Sequence, residues 1–105
     1  MIRAAGIVFH DLARNTVLLL RRVPGGDCDF PGGKLKNGES PQEAAIRESF
    51  EEVGYRAGHA GRFLCRRVKN NTDYVTFEYP CEEFIPKLSK EHDAYLWVNP
   101  RDVLK

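Results

Sequence analysis

Apolar and β-branched residues gather along the chain in short runs separated by turn-forming clusters. Ala4–His10 is the first such run, and the polar stretch Asp11–Thr16 feeds a second strand, Val17–Arg22. Val23–Asp29 holds Pro24-Gly25-Gly26-Asp27 and is expected to be a loop. Gly61–Val68 and Asp73–Phe84 read as strands joined by a hairpin-like turn at Lys69-Asn70-Asn71-Thr72, with Pro80 marking a bulge or an edge. Ala94–Val98 is another short strand, and Asn99-Pro100 looks like the cap and first turn of a helix.

One segment changes period. Over Pro41–Val53 the pattern predicts a helix, started by Ser40 as N-cap, Pro41 at the first helical position and Glu43 closing a capping box. Gly54 is expected to end it in the left-handed conformation. At about 100° per residue, Glu48, Glu51 and Glu52 fall within roughly one third of the circumference. Ile46, Phe50 and Val53 fall opposite and are expected to pack on a sheet, and Ser49 falls on the flank between the two faces. Like charges three and four residues apart repel, so this crowding stabilises a helix only if a cation or an arginine compensates. Clustered carboxylates offer all-oxygen ligands, which suit Mg²⁺ or Mn²⁺ and suit thiol-seeking metals poorly.

A solvated acidic face would explain three glutamates alone. It does not explain the register of Gly33, Glu39, Arg47, Glu48, Glu51, Glu52 and Gly54. This register resembles the Nudix box, G-x5-E-x7-R-E-U-x-E-E-x-G-U, where U is a bulky apolar residue. At ordinary residue frequencies the set arises at a given position with a chance on the order of 10⁻⁹, which decides against the solvated face. Two apolar slots differ: Ser49 stands for a leucine or isoleucine, and Tyr55 for an aliphatic. The likeness extends to Phe30-Pro31-Gly32-Gly33-Lys34, to Val17–Arg22, and to Glu91-His92 through Trp97-Val98.

The resemblance implies an α+β fold: a mixed β-sheet with the box helix packed on one side. The second, C-terminal helix is expected to be truncated to a turn or two, since the sequence ends at Lys105. It implies a single domain over residues 1–105, acting as a pyrophosphohydrolase on a nucleoside diphosphate linked to another group. A nucleoside triphosphate-like small molecule is the expected substrate, because no insertion is present to grip a larger one. The Phe30–Lys34 segment resembles the mutator branch of the family, whereas Glu91-His92 with Ala94-Tyr95 and Trp97 resembles the dihydroneopterin triphosphate branch. Two other readings are a nucleotide-binding module that does not hydrolyse, and an RNA 5′-end pyrophosphohydrolase using Arg62, Arg66, Arg67 and Lys69 as a basic track.

By the same resemblance the metal ligands are Glu48, Glu51 and Glu52 with the carbonyl of Gly32, and Glu91 is a candidate from outside the box. Glu48, Arg47 and Glu51 are the catalytic candidates. Glu48 is the general base of the mutator type, although a carboxylate outside the box can serve, and Arg47 holds a glutamate and the preceding loop. Glu39 either reaches the metal cluster or secures the loop. Arg22, Lys34, Phe30 and Glu39 are the substrate-side candidates; His92 is a candidate acid or base, and Trp97 a core residue.

Composition narrows the setting. The net charge of +1 offers no whole-chain attraction to nucleic acid or membranes, so a nucleic-acid partner is not expected. No apolar run is long enough to span a bilayer and the first residues lack a signal-peptide core, so a cytoplasmic protein is expected. Cys28, Cys65 and Cys81 lack metal-ligand spacing and are expected to be reduced and mostly buried. With so short a second helix, a partner subunit is expected to cover the other face of the sheet in a homodimer.

Overall fold

The computed structural model describes residues 1–23 and 25–103. Pro24, expected in the loop before the glycines, and Leu104 and Lys105, expected to end the second helix, lie outside them. Strands β1 (Ile2–Asp11), β2 (Thr16–Arg22), β3 (Cys28–Asp29), β4 (Gly32–Lys34), β5 (Arg62–Lys69), β6 (Thr72–Pro80) and β7 (His92–Val98) form one sheet. Its order is β3-β2-β1-β6-β5, with β4 also paired to β1 and β7 to β2. Only β1 and β6 run parallel, in register from Ile2↔Thr72 to His10↔Pro80, so the sheet is mixed as expected. Helix α1 (Pro41–Val53) packs on one face, and α2 (Pro100–Val103) is a single turn after Asn99, whose side chain accepts from the Arg101 amide.

Alternation along β1 sends Ala5, Ile7 and Phe9 to the helix side, where they meet Leu18, Leu20, Phe77, Ala44, Ala45 and Val53 in one core. Tyr55 meets Phe9 and Tyr79 edge-on and Phe84 at a tilt, so this departure from the family pattern is absorbed by neighbouring rings. Trp97 packs edge-on against Phe84 and donates to its carbonyl at 3.1 Å. The hairpin between β5 and β6 turns through Asn70 and Asn71, both at positive φ, which is the geometry that matches strand twist.

Five expectations need correction. Cys28-Asp29, placed in a loop, pair with β2 as a short strand. The strand from Asp73 ends at Pro80, because proline offers no amide to extend the ladder; residues 81–89 have no regular structure. Pro80 itself closes an internal strand, and the irregularity lies in β5 between Phe63 and Cys65. Cys28 and Cys65 are exposed and Cys81 half-buried, all three as free thiols.

The fifth correction concerns the face of α1. Its buried residues are Ala44, Ala45, Ser49, Glu52 and Val53, while Ile46 is half-buried and Phe50 exposed with the Arg56 guanidinium over its ring at 4.2 Å. The small side chains of Ala44, Ala45 and Ser49 let the helix settle close against β1, and that closeness carries Glu52 into the interior. Ser49 is therefore at the centre of the contact rather than on its flank.

Candidate metal and active site

Both ends of α1 are pinned. Ser40 Oγ accepts from the Glu43 amide and the Glu43 carboxylate accepts from the Ser40 amide, which completes the capping box. Gly54 closes the other end at φ 74, donating to the Phe50 carbonyl at 3.0 Å. Beyond it, the irregular segment before β7 folds back onto the helix end: Lys87 N donates to Val53 O at 2.8 Å and Ser89 N to Glu52 O at 3.2 Å. The segment that leads to Glu91 is thus fixed relative to the acidic side chains.

Glu48, Glu51, Glu52 and Glu91 line one cleft with Ser89 and Lys90, with a volume of about 350 Å³. Glu52 is 3% exposed. Its Oε1 accepts from the Gly32 amide at 2.7 Å, and its Oε2 faces His92 Nε2 at 3.9 Å. Burial pushes the Glu52 carboxyl up to about 8; the Gly32 amide opposes this, Glu48 and Glu91 add to it, and Arg22 pulls it back. The contact shown for Gly32 is through its amide, on the Glu52 side of the loop.

Arg47 is the hub that holds the rest. Its Nε and Nη2 fork onto Glu39 at 2.8 and 3.0 Å, and Nη2 also donates to the Lys34 carbonyl at 3.0 Å. Nη1 donates to Glu48 Oε1 at 2.8 Å and lies 3.3 Å from both Glu51 oxygens. Glu39 also accepts from the Lys36 amide at 2.9 Å, and the Arg47 fork with that amide holds its carboxyl down at about 2. Both Glu39 oxygens are therefore engaged inside the chain, where they clamp the loop to Arg47. The Arg47 guanidinium is raised in turn, by Glu39 foremost.

The glycines before the helix have a steric reason. A Cβ on Gly33 would strike the Glu48 carboxylate, and a Cβ on Gly32 would strike the Tyr74 hydroxyl and the Ala5 carbonyl. Alternation separates the two arginines that end β2: Arg21 forks onto Asp93 at 2.8 and 2.9 Å, whereas the charge of Arg22 reaches Glu52 and His92. Lys34 is exposed and lines a broader groove of about 630 Å³ with Arg3, Lys36 and Glu39, beside the loop and away from Glu52. Phe30 is half-buried next to Asp29, whose carboxylate accepts from the Phe30 amide.

Two further residues stand at the site: Tyr74, which carries little sequence signal, and His92, the candidate acid or base. Tyr74 lies on the strand beside β1 with its hydroxyl over Gly6 and Gly32; burial pushes that phenol up, helped by Asp29, Glu52 and Glu48. Its partnership with the two glycines was legible only once the β1–β6 register was known. His92 opens strand β7, and its side chain is buried against Glu52. Burial lowers its pKa. Glu52, Glu91 and His92 place one ligand atom each within 4.8 Å of one another.

A NUDIX domain family profile matches residues 1–105. The chain belongs to the Nudix hydrolase family. A MutT-like protein of Streptomyces ambofaciens is 30% identical over 105 residues, covering 97% of this chain and 66% of that protein. The crystal structure of a MutT protein from Methanosarcina mazei superposes with a TM-score of 0.84 at 27% identity, over 98% of this chain and 80% of that one. The E. coli ORF135 solution structure follows at 0.80 and 25%, over 99% and 77%. This Nudix chain thus spans 66% of the length of its Streptomyces relative. Among its described residues no helix is long and apolar enough to cross a membrane. On β5, Arg62 and Arg66 are paired with Glu78 and Asp73, which neutralises half of the basic track considered for RNA.

Proposed function

We propose that residues 1–105 work as a single Nudix domain that hydrolyses a nucleoside diphosphate linked to another group. A nucleoside triphosphate-like small molecule fits best, giving the monophosphate and pyrophosphate. The supporting observation is Glu52: a buried carboxylate, fixed by one amide, facing a cleft with three further carboxylates. Such a cluster of hard oxygens fits Mg²⁺ or Mn²⁺, and Arg47 already offsets only its Glu48 and Glu51 side.

Glu48, Glu51, Glu52, Glu91 and the Gly32 carbonyl would hold the ion, which supplies charge neutralisation at the phosphates and acidifies a water. The chain's own groups then position the reaction, which is most of what phosphoryl transfer needs. Glu48 takes the proton of the attacking water through Oε2, the oxygen opposite its bond to Arg47. Water oxygen joins phosphorus as the phosphoanhydride P–O bond breaks, and pyrophosphate leaves. Arg22, whose charge reaches Glu52, would meet phosphate charge at the cleft; Lys34 would meet it only from the neighbouring groove, and Phe30 would offer a ring to a base. A cytoplasmic setting, where nucleotides and Mg²⁺ meet, accords with this reading.

A panel of nucleotides with Mg²⁺ or Mn²⁺, read by pyrophosphate release, tests it. Activity should vanish on chelation and fall by orders of magnitude in Glu52→Gln, while Glu43→Gln, confined to the capping box, changes it little. Equal loss in the two variants, or turnover that survives chelation, would end the proposal.

A further inference from the structure

We infer that His92 is a positioning residue that fixes the Glu52 carboxylate through an Nε2–H directed at Oε2, so that Glu52 presents a set geometry to a divalent cation. The inference rests on the metal-dependent reading above and assigns a role to a residue outside the box.

The His92 side chain is 3% exposed, and its Nδ1 has no hydrogen-bond partner among the described residues. Its Nε2 lies 3.9 Å from Glu52 Oε2. A buried imidazole with an unpartnered nitrogen calls for an explanation, and the tautomer supplies one. A proton on Nδ1 would be a buried donor with no acceptor, an arrangement that native structures rarely tolerate; a lone pair left unpartnered there is tolerated more often. The proton therefore belongs on Nε2, on the side of Glu52.

The same argument speaks against direct ligation. An ion on Nε2 would force the proton onto Nδ1, where it has nothing to bond, and metal-bound imidazoles almost always donate from their other nitrogen. At 3.9 Å the contact with Glu52 is longer than a hydrogen bond, and about 1 Å of approach would close it. With Oε1 on the Gly32 amide and Oε2 on His92, the carboxylate would be held at both oxygens. Its remaining lone pairs then face the cleft lined by Glu48, Glu51 and Glu91. Backbone anchorage keeps the imidazole in place: His92 N donates to Ser89 O at 3.2 Å, and the residue pairs with Arg22 across β2.

The test is Mn²⁺ binding to the whole chain without substrate, followed by the electron paramagnetic resonance signal of the free ion. His92→Leu should weaken binding about 10–100-fold, the range for a lost partner behind a metal ligand. His92→Gln, whose amide nitrogen can stand near the imidazole Nε2, should stay within about threefold of the parent, and that rescue separates positioning from mere packing. Near-ultraviolet circular dichroism checks that both variants are folded. The parent complex should show no directly coordinated ¹⁴N in its electron spin-echo modulation. Undiminished binding by His92→Leu, a His92→Gln as weak as the leucine variant, or a coordinated nitrogen would each overturn the inference and leave the proposed function standing. A parent that binds no Mn²⁺ would overturn both.

Discussion

Glu52 makes the metal-free protein a stability sensor of pH. Its carboxyl sits at about 8 in the fold against an ordinary glutamate value of 4.5, with burial as the main cause. Between these values the folded state holds a proton that the unfolded chain has released, so stability falls as pH rises through this window. Below about pH 4.5 both states are protonated and the group is silent; above about 8 the full cost is present. At about 1.4 kcal/mol per unit, the shift sets a ceiling near 5 kcal/mol, and water entering the cleft brings the expected loss to roughly 2–4 kcal/mol. That is a large fraction of the total stability of a small domain. Urea unfolding with a chelator at pH 5, 7 and 9 measures it, on the parent and on Glu52→Gln. His10 contributes a slope of the same sign: burial lowers its pKa, but its bonds to Glu78 and Asn15 outweigh this and leave it raised, so its stabilisation fades as pH rises. Because His10 is common to both proteins, the difference between them isolates Glu52. The parent should lose stability from pH 5 to 9 while the variant stays flatter, and Mg²⁺ added at pH 9 should restore the parent alone. Parallel curves would refute the burial argument.

Arg47→Lys keeps the charge but cannot fork onto Glu39 while reaching Lys34 O and Glu48; kcat/KM and Mn²⁺ affinity should both fall about 10–100-fold, and a silent change would show that the clamp is idle. Gly33→Ala places a methyl group against the Glu48 carboxylate, so it should cost about 1–3 kcal/mol in a urea melt and reduce activity together; loss of neither would contradict the packing described. Phe63, Leu64 and Val68 are exposed along β5 and Leu96 on β7, so light scattering tests the expected homodimer, and a monomeric mass at all concentrations would exclude it.

The caps of α1 were legible because each rests on local chemistry: serine, proline and glutamate at fixed offsets, and a glycine that alone adopts φ 74 without strain. The register of the acidic and basic positions was legible for the same reason. The depth of Glu52 was not. Periodicity weighs side chains by hydrophobicity, so it turned Phe50 inward, whereas packing weighs them by size at the contact and turned Ala45, Ser49 and Glu52 inward. Alternation separated Arg21 from Arg22, yet which of them faced the site depended on Asp93, a residue distant in sequence. Tyr74 gained meaning only when long-range pairing set it over Gly32, and His92, a candidate acid or base by sequence, gained its place beside Glu52 in the same way.

Helix ends normally leave their final carbonyls to water. Here Val53 O and Glu52 O are taken by Lys87 N and Ser89 N, from a segment with no regular structure of its own. Those two amides should therefore exchange their hydrogens with solvent at the pace of helix opening rather than loop motion. The same coupling makes the acidic site a late product of folding. The last turn of α1 cannot be fully secured until Ser89 has been synthesised, and Glu52 and Glu91 share a common support only once the chain has passed Glu91.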